Sequence, residues 1–369
     1  MVNVPAEPLR LFAEPDDAGP GERAARPLRL TGPVLLLSVA LLLSLIAGIA
    51  LGPTTVALPD VLRYLGKAIT GGTITGDEVT GYSIVWQVRT PRVLLAAVVG
   101  AGLAVVGVAV QALVRNALAD PFVLGISSGA SVGAAAVVVF GLFAGLGVLA
   151  LSTAAFLGAL GATALVYLAA RGRFGLTPLR LVLTGVALTY AFQAVMSVLV
   201  YLSPSGQAAQ TVLFWLLGSL GAATWAALPL AALGVVVAIV VLLRYGTALD
   251  VLSMGDETAM SLGTDAAALR RWLFLLTAVV TGLLVAVSGS IGFVGLVLPH
   301  VVRMLAGSGH RRVLALAPLV GAVFLVWVDL LARTLVAPEE LPLGVITALI
   351  GVPVFLVVMR RRGYAFGGR

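Results

Sequence analysis

The chain has no cysteine, so disulfide, thiolate and iron–sulfur chemistry are excluded. Its two histidines, His300 and His310, are too few for a histidine-rich metal site. Charge is scarce: 11% of the 369 residues are charged, against roughly 25% in a soluble domain. Apolar residues make up 60% and mean hydropathy is +1.11. Such a chain is expected to be an all-α polytopic membrane protein. A phosphate-binding loop is also missing. Gly66-Lys67-Ala68 lacks the upstream glycine and the hydroxyl of GxxxxGK[ST], so ATP hydrolysis by that route is excluded. The sequence lacks paired carboxylates deep in a span, of the kind proton-coupled pumps use. Asp329 is the one acid well inside an expected span. A charge at mid-membrane costs roughly 2.5–3.5 kcal/mol, and Arg333, four residues on along the same face, offsets it. A membrane-embedded enzyme would need clustered His, Asp, Glu or Cys, and the candidates His300 and Asp329 lie far apart.

A span needs roughly 20 apolar residues. Ten are expected, at 33–51, 93–114, 125–144, 148–170, 180–202, 224–243, 272–290, 291–306, 312–332 and 342–359. The boundary between the seventh and eighth falls in Gly-rich 289–295. Segment 1–32, rich in Pro, Arg, Glu and Asp, is expected as a disordered cytoplasmic tail rather than a secretory signal. Residues 33–360 form the transmembrane domain and 361–369 a short cytoplasmic tail. Segment 208–220, with Phe214 and Trp215, is too short to cross and is expected as a half-helix at the outer interface. Ten spans put both termini on one side. Placing them in the cytoplasm puts eighteen of the 23 basic residues inside and leaves Arg63, Lys67, Arg89, Arg92 and Arg333 outside, the usual positive-inside bias. Gly125, Gly129 and Gly133 recur every four residues, after Gly100 and Gly107, which lets helix backbones approach closely. Pro299, Pro318 and Pro353 mark kinks or moving segments.

The polar stretch 248–263 lies between the apolar runs 226–243 and 272–290. It holds Asp250, Asp256 and Glu257, with Asp265 just beyond, and Arg244, Arg270 and Arg271 bracket it. Its pattern predicts two very short helices broken at Gly255. Leu249, Leu252 and Met254 make an apolar face on the first, and Ala259, Met260 and Leu262 on the second. Gly255 and Gly263 read as helix-end glycines. Asp256 and Glu257 fall in a first turn, where the helix dipole favours negative charge. A polar segment this long between spans is bulk loop or a docking surface. On the other side, Arg89, Arg92 and Arg333 sit near outer span ends. They are snorkelling side chains or a basic surface for an acidic protein partner.

Six stretches carry a family resemblance, in order along the chain: Arg89-Thr90-Pro91-Arg92; Gln111 to Pro121 with Leu124-Gly125-Ile126-Ser127-Ser128-Gly129-Ala130; Trp215 to Leu220; 248–263; Gly289 to Arg303; and Glu340 to Pro353. Together, over about residues 85–360, they resemble the permease subunit of ABC importers for ferric siderophores, haem and cobalamin, the FecCD-type or type II permeases. Ala117 departs from the proline usual there. The resemblance implies the type II ABC importer permease fold with ten transmembrane helices in the bacterial cytoplasmic membrane. It implies a second permease subunit, in a homo- or heterodimer with the path between the two. It also implies two ATP-binding subunits that carry ATP and Mg, and an extracytoplasmic substrate-binding protein. No cofactor on this chain and no nucleic acid are implied. Leu249, Leu252, Gly255, Asp256, Glu257, Ala259, Leu262 and Gly263 match the coupling helices that meet the ATPase. Arg89, Arg92 and Arg333 match outer positions that meet acidic residues of the binding protein. The fifth span lines the path in this family, which makes Thr184, Tyr190, Gln193 and Ser197 candidates. The implied activity is ferric siderophore import by alternating access, with haem or cobalamin as alternative cargo. A secondary transporter driven by an ion gradient is the competing class.

Overall fold

A computed structural model describes residues 30–172 and 175–361. Almost all of the expected tails, 1–32 and 361–369, lies outside the described residues; Thr31 and Gly32 already belong to the first helix and Arg361 to the last. The apolar runs form helices because lipid offers backbone groups no hydrogen-bond partners. In order these are α1 (Thr31–Ala50), α2 (Leu58–Thr70) and α3 (Val79–Tyr82), which runs through a wider π turn, Ser83–Arg89, into α4 (Thr90–Leu113). Then come α5 (Ile126–Phe140), α6 (Ala150–Ala170), α7 (Pro178–Tyr201), α8 (Gly206–Leu216) and α9 (Leu228–Arg244). After these follow α10 (Gly246–Ser253), α11 (Asp256–Ser261), α12 (Ala266–Ser288), α13 (Val294–Ala306), α14 (His310–Ala332) and α15 (Leu343–Arg361).

Each expected span coincides with one of these helices. By length and composition, six helical stretches among the described residues suffice to cross a membrane: α1, Val79–Leu113, Ala144–Ala170, α7, α12 and α14. A seventh is α9 taken with α10, bent by 66°, and α5, α13 and most of α15 are shorter apolar helices. The ambiguous boundary at 289–295 is a real break: α12 stops at Ser288 and α13 starts only at Val294. The short α8 stands where a half-helix was expected. It is tied at its end to the break and to the start of α15, through Ser219 N to Ser288 O (2.9 Å), Leu343 N to Gly218 O (3.0 Å) and Gly344 N to Leu217 O (2.9 Å).

α4 is the central post, buried along nearly its whole length against α14, α12, α9 and α13. Small residues set these approaches. A Cβ on Gly100 would stand 2.1 Å from the Gly321 carbonyl oxygen, and one on Gly107 2.0 Å from that of Gly295. By contrast α7 lies at the periphery, with only Leu181, Gly185, Met196 and Leu199 buried.

Candidate functional site

The N-terminus of α5, the middle of α7, the end of α8 and the α12–α13 break enclose a cavity of about 660 Å³. Its polar lining is Ser127, Ser128, Ser131, Thr189, Gln193, Ser197 and Ser290, and among the described residues no charged side chain lines it. Several of these hydroxyls spend their proton on their own helix. Ser131 donates to Ser127 O (2.9 Å), Thr189 to Gly185 O (2.8 Å), Ser197 to Gln193 O (3.0 Å) and Ser128 to Gly125 O (3.0 Å). Helix hydroxyls bonded back in this way keep their lone pairs for whatever occupies the space. The Ser127 and Ser290 hydroxyls meet across the gap between α5 and the helix break.

A second cavity of about 480 Å³ lies towards the N-terminal end of α7 and shares Phe122, Thr189 and Gln193 with the first. Asp120, Tyr190 and Phe293 also line it. Asp120 caps the turn Pro121–Leu124 by accepting from Phe122 N at 2.8 Å. Of the four α7 candidates, Gln193 lines both cavities, Ser197 the first and Tyr190 the second, while Thr184 lines neither. The sequence reading missed the serines of α5 and Ser290. Their signal was present in hydroxyls at 127, 128 and 131 on an otherwise apolar helix.

The segment 248–263 folds as the pattern predicts, with α10 and α11 broken at Gly255. That residue sits at φ 121°, ψ 161°, a conformation open only to glycine. Its apolar residues divide in a way the pattern did not give. Leu249, Leu252 and Ala259 are fully buried in the chain's own core, whereas Met254, Met260 and Leu262 are 66, 63 and 61% exposed. Leu249, Leu252 and Ala259 therefore position the segment and offer no surface to a partner, which corrects their expected contact role. Asp256 is engaged too. Arg270 grips its two oxygens at 2.5 and 3.2 Å, and Arg115 stands 3.6 Å away. The Arg270 guanidinium holds the Asp256 carboxyl below its ordinary range. Glu257 and Gly263 are exposed. From the middle of α10, Asp250 caps α14 by accepting from His310 N (2.9 Å), and the same oxygen contacts the ring Nδ1 (2.6 Å).

Arg89, Arg92 and Arg333 also need correction as docking residues. They are 3, 7 and 2% exposed and bonded inside the chain, although the Arg333 Nε makes no hydrogen bond. Arg89 donates to Ile49 O (3.1 Å), Ala50 O (2.9 Å) and the carbonyl and hydroxyl of Thr54. Arg333 donates to Gly48 O, with its Nε 3.4 Å from Asp329 Oδ2. The last carbonyls of a helix lack partners within it, and at the end of α1 these two guanidiniums supply them. Arg92 binds buried Asp329 at 2.8 Å and both oxygens of Glu340 at 2.7 and 3.0 Å. A buried carboxylate draws cations inward because alone it would be costly. The exposed charges at this end include Asp77 and Glu339.

Broken helices around a polar cavity inside an apolar bundle are the architecture of a solute permease. The chain belongs to the FecCD transport family, which it matches over residues 38–361, and which consists of membrane permeases of ABC importers. It is 38% identical over 330 residues to the ABC transporter permease protein YvrB of Bacillus subtilis, covering 87% of this chain and 91% of that one. It is 43% identical over 282 residues to the hemin transport system permease protein HmuU of Yersinia pestis, covering 75% and 84%. A solved inward-facing metal-chelate type ABC transporter superposes with a TM-score of 0.78 at 32% identity, over 90% of this chain and all of the other. Further relatives are named for vitamin B12, Fe(3+) dicitrate, Fe(3+)-hydroxamate and molybdate.

Proposed function

We propose that this chain is the permease subunit of an ATP-driven importer for a bulky iron chelate, a ferric siderophore first among them, in the bacterial cytoplasmic membrane. The observation that carries the cargo class is the cavity of about 660 Å³ with seven hydroxyl or amide side chains and no charge in its lining. A bare hard cation is held by carboxylates and other close-set oxygens. A chelate has already wrapped its metal and presents an outer surface suited to weak, repeated hydrogen bonds. Relatives named for hemin, Fe(3+) dicitrate and Fe(3+)-hydroxamate transport support the same class.

In this reading the chain makes ten spans with both termini in the cytoplasm. The peripheral α7 faces a second permease subunit, a copy or a paralogue, and the path runs between the two. The segment 248–263 meets an ATPase subunit through the exposed Met254, Met260, Leu262 and Glu257. ATP and Mg bind there, on the partner. Nucleotide binding pulls the segment and switches the bundle between inward- and outward-open states. A swing from 1:99 to 99:1 requires about 5.5 kcal/mol of differential binding. An extracytoplasmic binding protein delivers the chelate to the opposite end. There it meets the exposed turn 334–340 and the loop around Asp77 rather than the three buried arginines.

The test is uptake of radiolabelled iron as ferric siderophore, beside radiolabelled cobalamin and haem, in cells with and without the gene. Loss of iron uptake alone supports the siderophore reading. Loss of cobalamin or haem uptake keeps the mechanism and replaces the cargo. Unchanged uptake of all three overturns the chelate class.

A further inference from the structure

The two short helices of the coupling segment are fastened to different parts of the bundle. α10 packs on α14 and α4 and is pinned there by the Asp250–His310 contact. α11 is pinned by Asp256 to Arg270, at the start of α12. Between them lies Gly255, in a backbone conformation that no other residue adopts without strain. Arg270 reaches further than Asp256. The same Nη1 that bonds Asp256 Oδ2 donates to Leu176 O at 3.0 Å. Leu176 immediately precedes Thr177, whose hydroxyl caps α7 by accepting from Arg180 N. α7 is the helix that brings Thr189, Gln193 and Ser197 to the cavity, and it has few buried anchors of its own. One buried guanidinium thus holds a coupling helix in one hand and the root of a cavity-lining helix in the other. Its Nε is buried without a hydrogen-bond partner, so the fork has a donor unspent in this conformation.

We infer that Arg270 is the positioning residue that transmits movement of α11 to α7, so that α11, Arg270 and the root of α7 move as one body hinged from α10 at Gly255. This rests on the reading of 248–263 as the ATPase-facing segment, and it adds which helix that segment drives and through which side chain. Arginine suits the task because its planar fork holds a carboxylate and a carbonyl at fixed angles, which a lysine cannot do.

The absence of cysteine makes the test direct. In the assembled transporter with its ATPase, spin labels on Ser261→Cys in α11 and Leu179→Cys in α7, both exposed, report the distance between the two elements. With Arg270 present, one narrow distance should persist with and without a non-hydrolysable ATP analogue. With Arg270→Gln the distribution should broaden. Uptake should then fall about tenfold while ATP hydrolysis stays within about twofold, with Arg270→Lys in between. Asp256→Asn, altering the half-buried partner, gives the same comparison if Arg270→Gln does not assemble. An unchanged distance distribution in the variants overturns the inference, as does a parallel fall of uptake and hydrolysis with unchanged assembly. If the variants broaden the distribution but uptake and ATP hydrolysis both match the unsubstituted transporter, the joint stands and the ATPase-facing reading falls.

Discussion

Arg92 sets the terms at the scale of single residues. It sits between a fully buried Asp329 and the rim residue Glu340, so Arg92→Met leaves a buried carboxylate with its closest partner gone. Removing one partner of a buried ion pair costs about 3–5 kcal/mol. Arg92→Met should therefore lower the thermal midpoint of the purified protein strongly, and the loss should depend little on salt. A loss that vanished in high salt would return Arg92 to a surface role. Asp329→Asn with Arg92→Met should be milder than Arg92→Met alone, as a double-mutant cycle would measure. The Asp329–Arg333 pairing was legible in the sequence from its four-residue spacing. The third member was not, because Arg92 reaches Asp329 across 237 positions. Hydropathy likewise reads an arginine near a span end as bound for water, whereas here the carbonyls at the end of α1 capture two of them.

Among elements, the segment 248–263 shows what a local pattern contains. Helix breaks, terminal glycines and first-turn acids are all written in neighbouring residues, and α10 and α11 lie where these signals put them. Which leucine faces in and which methionine faces out depends on the helices packed above, and the pattern holds no information on that. The difference is testable. Met260→Asp should weaken co-purification of the ATPase subunit and leave the thermal midpoint unchanged. Leu252→Ala should cost about 2–5 kcal/mol through loss of buried contacts, seen as a lower midpoint in the permease alone. Equal effects from the two would show that the segment has no outward face. The α12–α13 break was visible as a glycine-rich stretch. Its role as a cavity wall was not, since Ser290 finds Ser127 only through tertiary packing.

Across the whole molecule, one polar cavity is assembled from four elements distant in sequence. The sequence reached one wall of it, α7, where Gln193 and Ser197 fall; Tyr190 lines the neighbouring cavity, and Thr184, nearer the start of that helix, lines neither. The serine wall is the part most open to trial. Ser131→Leu and Ser290→Val should each reduce chelate uptake while the ATPase stays bound and active, because they remove acceptors and volume from the cavity and touch nothing at the coupling end. Unaltered uptake in both would place the path elsewhere. The ties at the end of α1 have a consequence of a different kind, in the order of manufacture. α1 leaves the ribosome ahead of α4 and α14, and Arg89 follows it soon after. The carbonyl of Gly48 is answered by Arg333, 285 residues later. An early helix is thus secured by a residue made 285 positions later, and a nascent chain stopped short of Arg333 holds α1 by one hand only. Quality control that samples the nascent chain therefore has, at that helix end, a signal of whether synthesis has passed Arg333.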